Sequence, residues 1–178
     1  EIIYSRRNRA LHGERLKNEI LDYTKEFIEE IVAKYYDDAL IDKIREEVLQ
    51  NLLVDVTINP DEFENLGQDG ITDLIYQAAL EFYKRKEEML EPELMARLER
   101  YAVLNVIDNK WKEHLREMDD LKEGIGLRAY GQKDPLIEYK GEAYNLFVSL
   151  LNTIRNEAVT FCFKFFPQAV DEVQSRRR

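Results

Sequence analysis

Two histidines and one cysteine are the side chains of this chain best suited to metal binding or nucleophilic catalysis. Neither His12 nor His114 falls in an H-E-x-x-H or E-x-x-H pattern, the spacings that place ligands on one face of a helix. Cys162 lies in a run rich in phenylalanine, where a small buried thiol is more common than a reactive one. These residues predict neither a metal site nor a catalytic nucleophile.

The carboxylates and glycines of the sequence also lack the spacing that carboxylate dyads and phosphate-binding loops need. Two acidic pairs, Asp37 with Asp38 and Asp119 with Asp120, could be considered as carboxylate dyads, but adjacent residues of a helix diverge by about 100°. Solvated faces or helix caps explain these pairs better than a carboxylate dyad. Neither G-x-x-x-x-G-K-[ST] nor G-x-G-x-x-G occurs, so no loop is predicted to bind nucleotide phosphates. We expect no cofactor in this chain and no enzymatic activity from the chain alone.

Composition narrows the class of protein. The chain has 178 residues, of which 44% are hydrophobic and 35% charged, with only 7 glycines and 4 prolines. This balance favours long helices with solvated faces around a real core. A net charge of -10 argues against a nucleic-acid partner, because phosphate binding needs clustered cations. One cysteine and the absence of an apolar run of about eighteen residues predict a reducing compartment and no membrane span.

Apolar periodicity predicts an all-α fold for the elements that carry these residues. Residues 1–37 are predicted to form a first long helix, which ends at a break near Tyr36. Residues 38–90 predict a small helical lobe. Within it, Asn59 is suited to cap a short helix that starts at Pro60 and ends near Leu66.

Residues 91–178 predict two long amphipathic helices joined into an antiparallel hairpin. Asp134 is suited to cap the second helix, with Pro135 at its first position. Each helix should be about 40 Å long, at about 1.5 Å per residue. The apolar stripe of the first helix, which Asp108 interrupts, consists of Leu94, Leu98, Tyr101, Leu104, Trp111, Leu115, Met118 and Leu121. The stripe of the second consists of Ala143, Phe147, Leu150, Ile154, Ala158, Phe161 and Phe165.

The connection between these helices is predicted to be a loop from Gly124 to Pro135, GIGLRAYGQKDP. Helix connections in bundles usually need about two to eight residues, so a longer one with three glycines and two cations predicts a contact surface. Tyr130 has no local packing partner. A tip aromatic that presses on an extended peptide and one folded back onto the helices remain equally open interpretations.

Trp111 and two polar neighbours also have two interpretations. The Trp111 ring on the apolar stripe is explained by core packing or by a docking surface. Asp108 and Asn105 would be costly if they were buried without partners. They are expected to bond across the hairpin or to a domain that this chain lacks.

The stretch from Val103 to Pro135 closely resembles the carboxy-terminal region of SecA, the family of motor ATPases in bacterial and chloroplast protein export. The resemblance is carried by WKEHL, by MD-x-L and by GI-x-LR-x-Y-x-QKDP. The opening IIYSRRNRAL also resembles the start of that family's scaffold helix. Two residues depart from the family pattern: Gly126, where many members carry histidine, and Gly141, which weakens a helix by about 1 kcal/mol relative to alanine.

The resemblance implies a role for each part of the chain. Residues 1–37 would belong to a helical scaffold, 38–90 to a helical wing, and 91–178 to the second scaffold helix and a two-helix finger whose tip loop is 124–135. The tip residues, which would contact a preprotein and the SecY channel, are Tyr130, Arg128, Lys133, Leu127 and Gln132. The residues that would dock on other domains are Trp111, His114 and Asp108.

The resemblance also implies that ATP and Mg²⁺ bind to motor domains outside this chain. This chain would then be a non-catalytic coupling fragment of a protein-secreting ATPase, cytoplasmic and peripherally associated with the inner or thylakoid membrane. Expected partners are the SecY channel complex, the preprotein, the protein's own nucleotide-binding domains and an anionic membrane surface. The alternative is a stand-alone helical adaptor that binds a partner protein.

Overall fold

The computed structural model describes residues 1–13, 15–128 and 134–167, and the described residues form six helices and no strand. The predicted all-α class is confirmed. The helices are α1 (Ile2–Leu11), α2 (Lys17–Tyr35), α3 (Ile41–Leu52), α4 (Pro60–Leu90), α5 (Pro92–Arg128) and α6 (Pro135–Lys164).

The first helical stretch is divided where the sequence pattern predicts continuity. One long helix is predicted over residues 1–37, but α1 ends at Leu11 and Gly13 adopts φ 75°, which is unfavourable for residues with a Cβ. After this break α2 packs against α3, α4 and α6. We call α2, α3 and α4 the lobe, so the lobe includes residues that were predicted to lie in the first long helix. The predicted domain boundaries stay predictions.

Helix α4 begins as the sequence predicts and consists of two helical segments. The Asn59 side chain accepts a hydrogen bond from the backbone N–H of Asp61 at 3.1 Å, and Pro60 takes the first helical position. The predicted end of a short helix near Leu66 is confirmed, because the backbone of Gly67 is not helical. Gly67, with φ 68°, bends the chain, and the helix then runs on to Leu90.

Helices α5 and α6 form the predicted antiparallel hairpin. Three contacts fix the direction: Tyr101 lies 5.6 Å from Phe161 between ring centroids, Lys110 Nζ lies 3.1 Å from Glu157 Oε1, and His114 lies 6.3 Å from Phe147. Positions along α6 fall as positions along α5 rise, which only antiparallel helices permit. At the start of α6, the Asp134 carboxylate accepts from the backbone N–H of Leu136 at 3.0 Å, and Pro135 takes the first position as predicted.

The tip loop was predicted to begin at Gly124, which is too early in the sequence. Helix α5 continues through Gly124 and Gly126 to Arg128, so five residues assigned to the loop are helical. Leu121 and Ile125 are buried one turn apart. Their burial offsets the low helix propensity of the two glycines.

The buried face of α5 coincides with the predicted stripe at Leu98 and Leu121 and departs from it between them. Tyr101 and Leu115 are exposed and Trp111 is 37% exposed, whereas Ala102, Val106 and His114 are buried. Residues 94–107 are apolar on more than one face, and periodicity alone does not identify the face that meets a partner helix.

The core occupies the lobe and the adjoining part of the hairpin. We call residues 92–111 and 149–164 the base of the hairpin, and residues 112–128 and 135–148 its distal half. The largest fully buried side chains among the described residues are Tyr83, Phe163, Ile20, Ile28, Ile31, Ile44, Leu52, Ile71, Ile75, Met95, Ile107 and Ile154. All of these lie outside the distal half.

Candidate functional site

The distal half of the hairpin carries large apolar side chains in contact with solvent. Three of them sit at its far end: Leu127 near the end of α5 is 77% exposed, while Leu136 and Ile137 on the first turn of α6 are 58% and 69% exposed. We call these three residues the apolar tip surface. Exposed leucines are ordinary singly, but clustering at the end of a long projection is typical of a contact site.

Only part of the predicted tip site lies within the described residues. Leu127 is described and is among the most exposed apolar residues of the chain. Tyr130, Gln132 and Lys133, together with the side chain of Arg128, lie outside the described residues, so their proposed contacts stay predictions. Leu136 and Ile137 were not predicted from the sequence. Ile137 falls off the predicted apolar stripe of α6, whereas Leu136 lies two turns before Ala143 and so continues that stripe.

A second surface lies halfway along the hairpin, where α1 meets α5. Trp111 lines a cleft of about 200 Å³ together with Tyr4, Arg7, Asp108 and Phe147. Arg7 Nε donates to Asp108 Oδ1 at 2.9 Å, and this contact raises the pKa of Arg7. Asp108 therefore bonds to α1, a partner that was not predicted from the sequence.

His114 lies beneath this cleft and is buried. Its ring centroid is 5.5 Å from that of Trp111 and 6.3 Å from that of Phe147. Its Nδ1 atom has no hydrogen-bond partner among the described residues. Of the three predicted docking residues, Trp111 and Asp108 thus share the cleft, and His114 supports it from below.

A buried charge cluster fixes the base of the hairpin to the rest of the chain. Glu99 of α5 is fully buried and accepts from Tyr83 of α4 at 2.7 Å. Arg15, between α1 and α2, donates to both oxygens of Glu99, at 2.9 and 3.1 Å, and to Glu87 at 2.8 Å. Its hydrogen bond to Glu99 raises the pKa of Arg15, and burial raises that of Tyr83. No sequence pattern signalled this cluster, because its members are far apart along the chain.

Helix α6 is also fixed to α2 at the base. The Arg155 guanidinium forms ion pairs with Glu26, at 3.2 Å, and with Glu30, one turn further along α2. Arg155 is partly buried while both carboxylates are exposed, so the pairs contribute more to orientation than to stability.

The described residues offer little for catalysis. Cys162 is fully buried in the base of the hairpin, and burial raises the pKa of its thiol, which disfavours the reactive thiolate. Within residues 1–13, 15–128 and 134–167, no group of three His, Cys, Asp or Glu side chains could hold a metal ion. In the same part of the chain, no helix is both long enough and apolar enough to cross a membrane.

Together these features define an all-helical protein in which a lobe anchors a long hairpin whose far end is left exposed. The chain belongs to the SecA Wing and Scaffold domain family, which matches residues 1–166. It is 54% identical over 172 residues to the protein translocase subunit SecA of Chloroherpeton thalassium, covering 97% of this chain and 16% of that protein.

Other relatives agree. The protein translocase subunit SecA of Prosthecochloris aestuarii is 49% identical over 181 residues, covering 100% of this chain and 18% of that protein. The protein translocase subunit SecA 1 of Chlorobium chlorochromatii is 48% identical over 174 residues, covering 98% of this chain and 17% of that protein. The chain thus spans less than a fifth of the length of these relatives.

Proposed function

We propose that this chain is the non-catalytic coupling part of an ATP-driven protein translocase. In this role the lobe and the base of the hairpin receive the movement of nucleotide-binding domains, and the distal half passes that movement to a polypeptide at the SecY channel. The names of the relatives support the translocase assignment. ATP and Mg²⁺ would bind to the motor domains, and the protein would work at the cytoplasmic side of the membrane as a peripheral component.

The observation that carries this proposal is the contrast in burial along the hairpin. The described residues of the distal half include three buried ones, His114, Leu121 and Ile125, whereas its end exposes the apolar tip surface. A rigid pair of helices can transmit a displacement over their length, and exposed apolar side chains at the end can contact an unfolded polypeptide without sequence preference.

The cleft around Trp111 is proposed to receive another domain of the same protein. It combines the partly exposed Trp111 ring with Tyr4 and the Arg7–Asp108 pair, a mixture of aromatic and charged groups that is common at interfaces. This cleft is also what a stand-alone adaptor would use. The gene that contains the coding sequence of this chain distinguishes the two functions. Only the coupling function requires that gene to encode a phosphate-binding loop upstream of the chain.

Site-specific photo-crosslinking tests the coupling function. A photoreactive residue replaces Leu127 in a translocase of the relatives' length that contains this chain, and the protein is stopped during transport. The expected result is labelling of the transported polypeptide or of the channel. The matched control replaces Met89, which is 63% exposed at the end of α4 in the lobe and should label neither. Equal labelling from both positions, or none from position 127, would refute the tip contact.

A further inference from the structure

Lys86 of α4 is a buried lysine without a carboxylate partner among the described residues. It is 2% exposed, and its Nζ atom donates to the carbonyl oxygens of Cys162 at 2.6 Å and Phe163 at 3.1 Å, and also to that of Phe165. These carbonyls belong to the C-terminal end of α6, where a helix has no partners of its own for them. A side chain of the lobe therefore completes the hydrogen bonding of the hairpin's second helix.

Aromatic rings surround the same junction. Phe82 and Tyr83 of α4 lie 5.7 and 5.3 Å from Phe163 between ring centroids. Lys86 Nζ lies 4.1 Å from the centroid of the Phe166 ring. The ammonium group thus exchanges water for three carbonyl oxygens, an aromatic face and the negative end of the α6 dipole.

These contacts of Lys86 are expected to fix the direction of α6 more than they stabilise the fold. Burial lowers the pKa of Lys86 to about 8, although the carbonyl oxygens favour the charged form. An apolar side chain would fill the same space without this desolvation cost, but it could not hold three carbonyls in a fixed direction. The titratable and charged groups around the junction are Tyr83 and Glu87 of α4, Glu99 of α5, Cys162 of α6, Arg15 before α2 and Lys17 at its start.

We propose that Lys86 is a positioning residue that sets the direction of the hairpin by holding the last turn of α6 on the lobe. Two groups of contacts then orient α6. Arg155 holds its middle against α2, and Lys86 holds its end against α4. We call this contact between Lys86 and the end of α6 the tie. Its consequence for transport rests on the proposed coupling function, but the tie itself does not.

The tie is tested in the full chain by Lys86→Met, which keeps the length of the side chain and removes its donors. The expected result is that the backbone amides of residues 162–165 exchange with solvent at least tenfold faster, while that of Ile154 is unchanged. A pair of spin labels, at Asp73 in the lobe and Tyr144 on the distal half, should also report a broader distance distribution. The control Lys84→Met alters an exposed lysine two residues earlier on α4 and should change neither measurement.

Two outcomes would overturn the tie. The first is an exchange pattern in Lys86→Met that matches the Lys84→Met control. The second applies even if Lys86→Met fails to fold: in the unaltered chain, the buried Lys86 amine should react with an acylating reagent at least tenfold more slowly than the exposed Lys84 amine. Equal reaction of the two lysines would mean that the Lys86 amine is solvated and does not hold α6.

The consequence for transport is measured separately. In a translocase that contains the chain, Lys86→Met should lower the amount of polypeptide transported per ATP at least threefold while ATP turnover is retained. Faster amide exchange with unchanged transport would leave the tie in place and refute the coupling function. Unchanged exchange would refute the tie whatever the transport yield.

Discussion

The base and the distal half of the hairpin are built from the same two helices but differ in what surrounds them. In the base, Leu98, Ile107 and Ile154 are buried because the lobe and α1 pack on α5 and α6. In the distal half α5 and α6 pack mainly on each other, and Leu127 and Ile137 remain exposed. One helix can therefore serve as an anchor at one end and as a contact surface at the other.

The base and the distal half of the hairpin also differ in their buried polar groups. The base contains buried charges with several partners each, namely Glu99 with Tyr83 and Arg15, and Lys86 with the carbonyls at the end of α6. Buried charges of this kind tolerate little displacement, because each lost partner leaves a desolvated group behind. Substitution in the base is thus expected to cost more stability than substitution in the distal half.

The largest difference should appear when the same residue type is truncated in both regions. Ile154→Ala removes a fully buried side chain from the base and should lower the free energy of unfolding by about 3 kcal/mol. Ile137→Ala, on the same helix, removes a side chain that is 69% exposed and should change it by less than about 0.5 kcal/mol. Denaturant unfolding of both variants measures this, and equal losses would remove the distinction between the two regions.

A smaller effect is expected from the charges of α5. Glu99→Gln keeps the shape of a buried carboxylate that binds Tyr83 and Arg15, and should lower the free energy of unfolding by about 2 kcal/mol. Glu93→Gln breaks an exposed pair with Arg97 and should cost less than about 0.5 kcal/mol. Thermal unfolding at matched pH compares the two. A Glu99 variant as stable as the Glu93 variant would show that the cluster does not anchor the base.

The smallest effect should be a gain in stability in the distal half. Gly141 is helical and exposed, and a Cβ at that position would meet no atom within 4 Å. Gly141→Ala should therefore raise the free energy of unfolding by about 0.5 to 1 kcal/mol. Gly67→Ala is the matched control, because φ 68° at the α4 kink disfavours alanine and predicts a loss. A loss from Gly141→Ala would reveal a packing role for that glycine.

The residues next to the starts of α4 and α6 predicted where these helices begin. Where α5 ends could not be predicted from neighbouring residues alone. The caps at Asn59 and Asp134 depend on residues next to each helix, and both are confirmed. The extension of α5 to Arg128 accompanies the burial of Leu121 and Ile125, which local sequence rules do not predict. The break after Leu11 was likewise missed, although Gly13 marked it in the sequence.

The sequence likewise predicted only the part of the candidate site that local patterns reveal. The tip was predicted from the length, glycines and cations of the loop 124–135, and Trp111 was predicted as a docking residue from the resemblance, whereas the cleft around it was not predicted. Leu136 was missed because it continues the apolar stripe of α6 and only the structure shows that this turn is exposed, and Ile137, which lies off the stripe, was overlooked. Glu99 and Lys86 were missed because their partners are distant in sequence.

The apolar tip surface is expected to act in transport and not in folding, and this is the central claim. Its most direct test is a triple substitution of Leu127, Leu136 and Ile137 to serine within a translocase that contains the chain. The free energy of unfolding of the chain should change by less than about 1 kcal/mol, because all three side chains are exposed. Polypeptide transport should fall at least tenfold. Transport at the unaltered rate by the folded triple variant would contradict a role for this surface in transport.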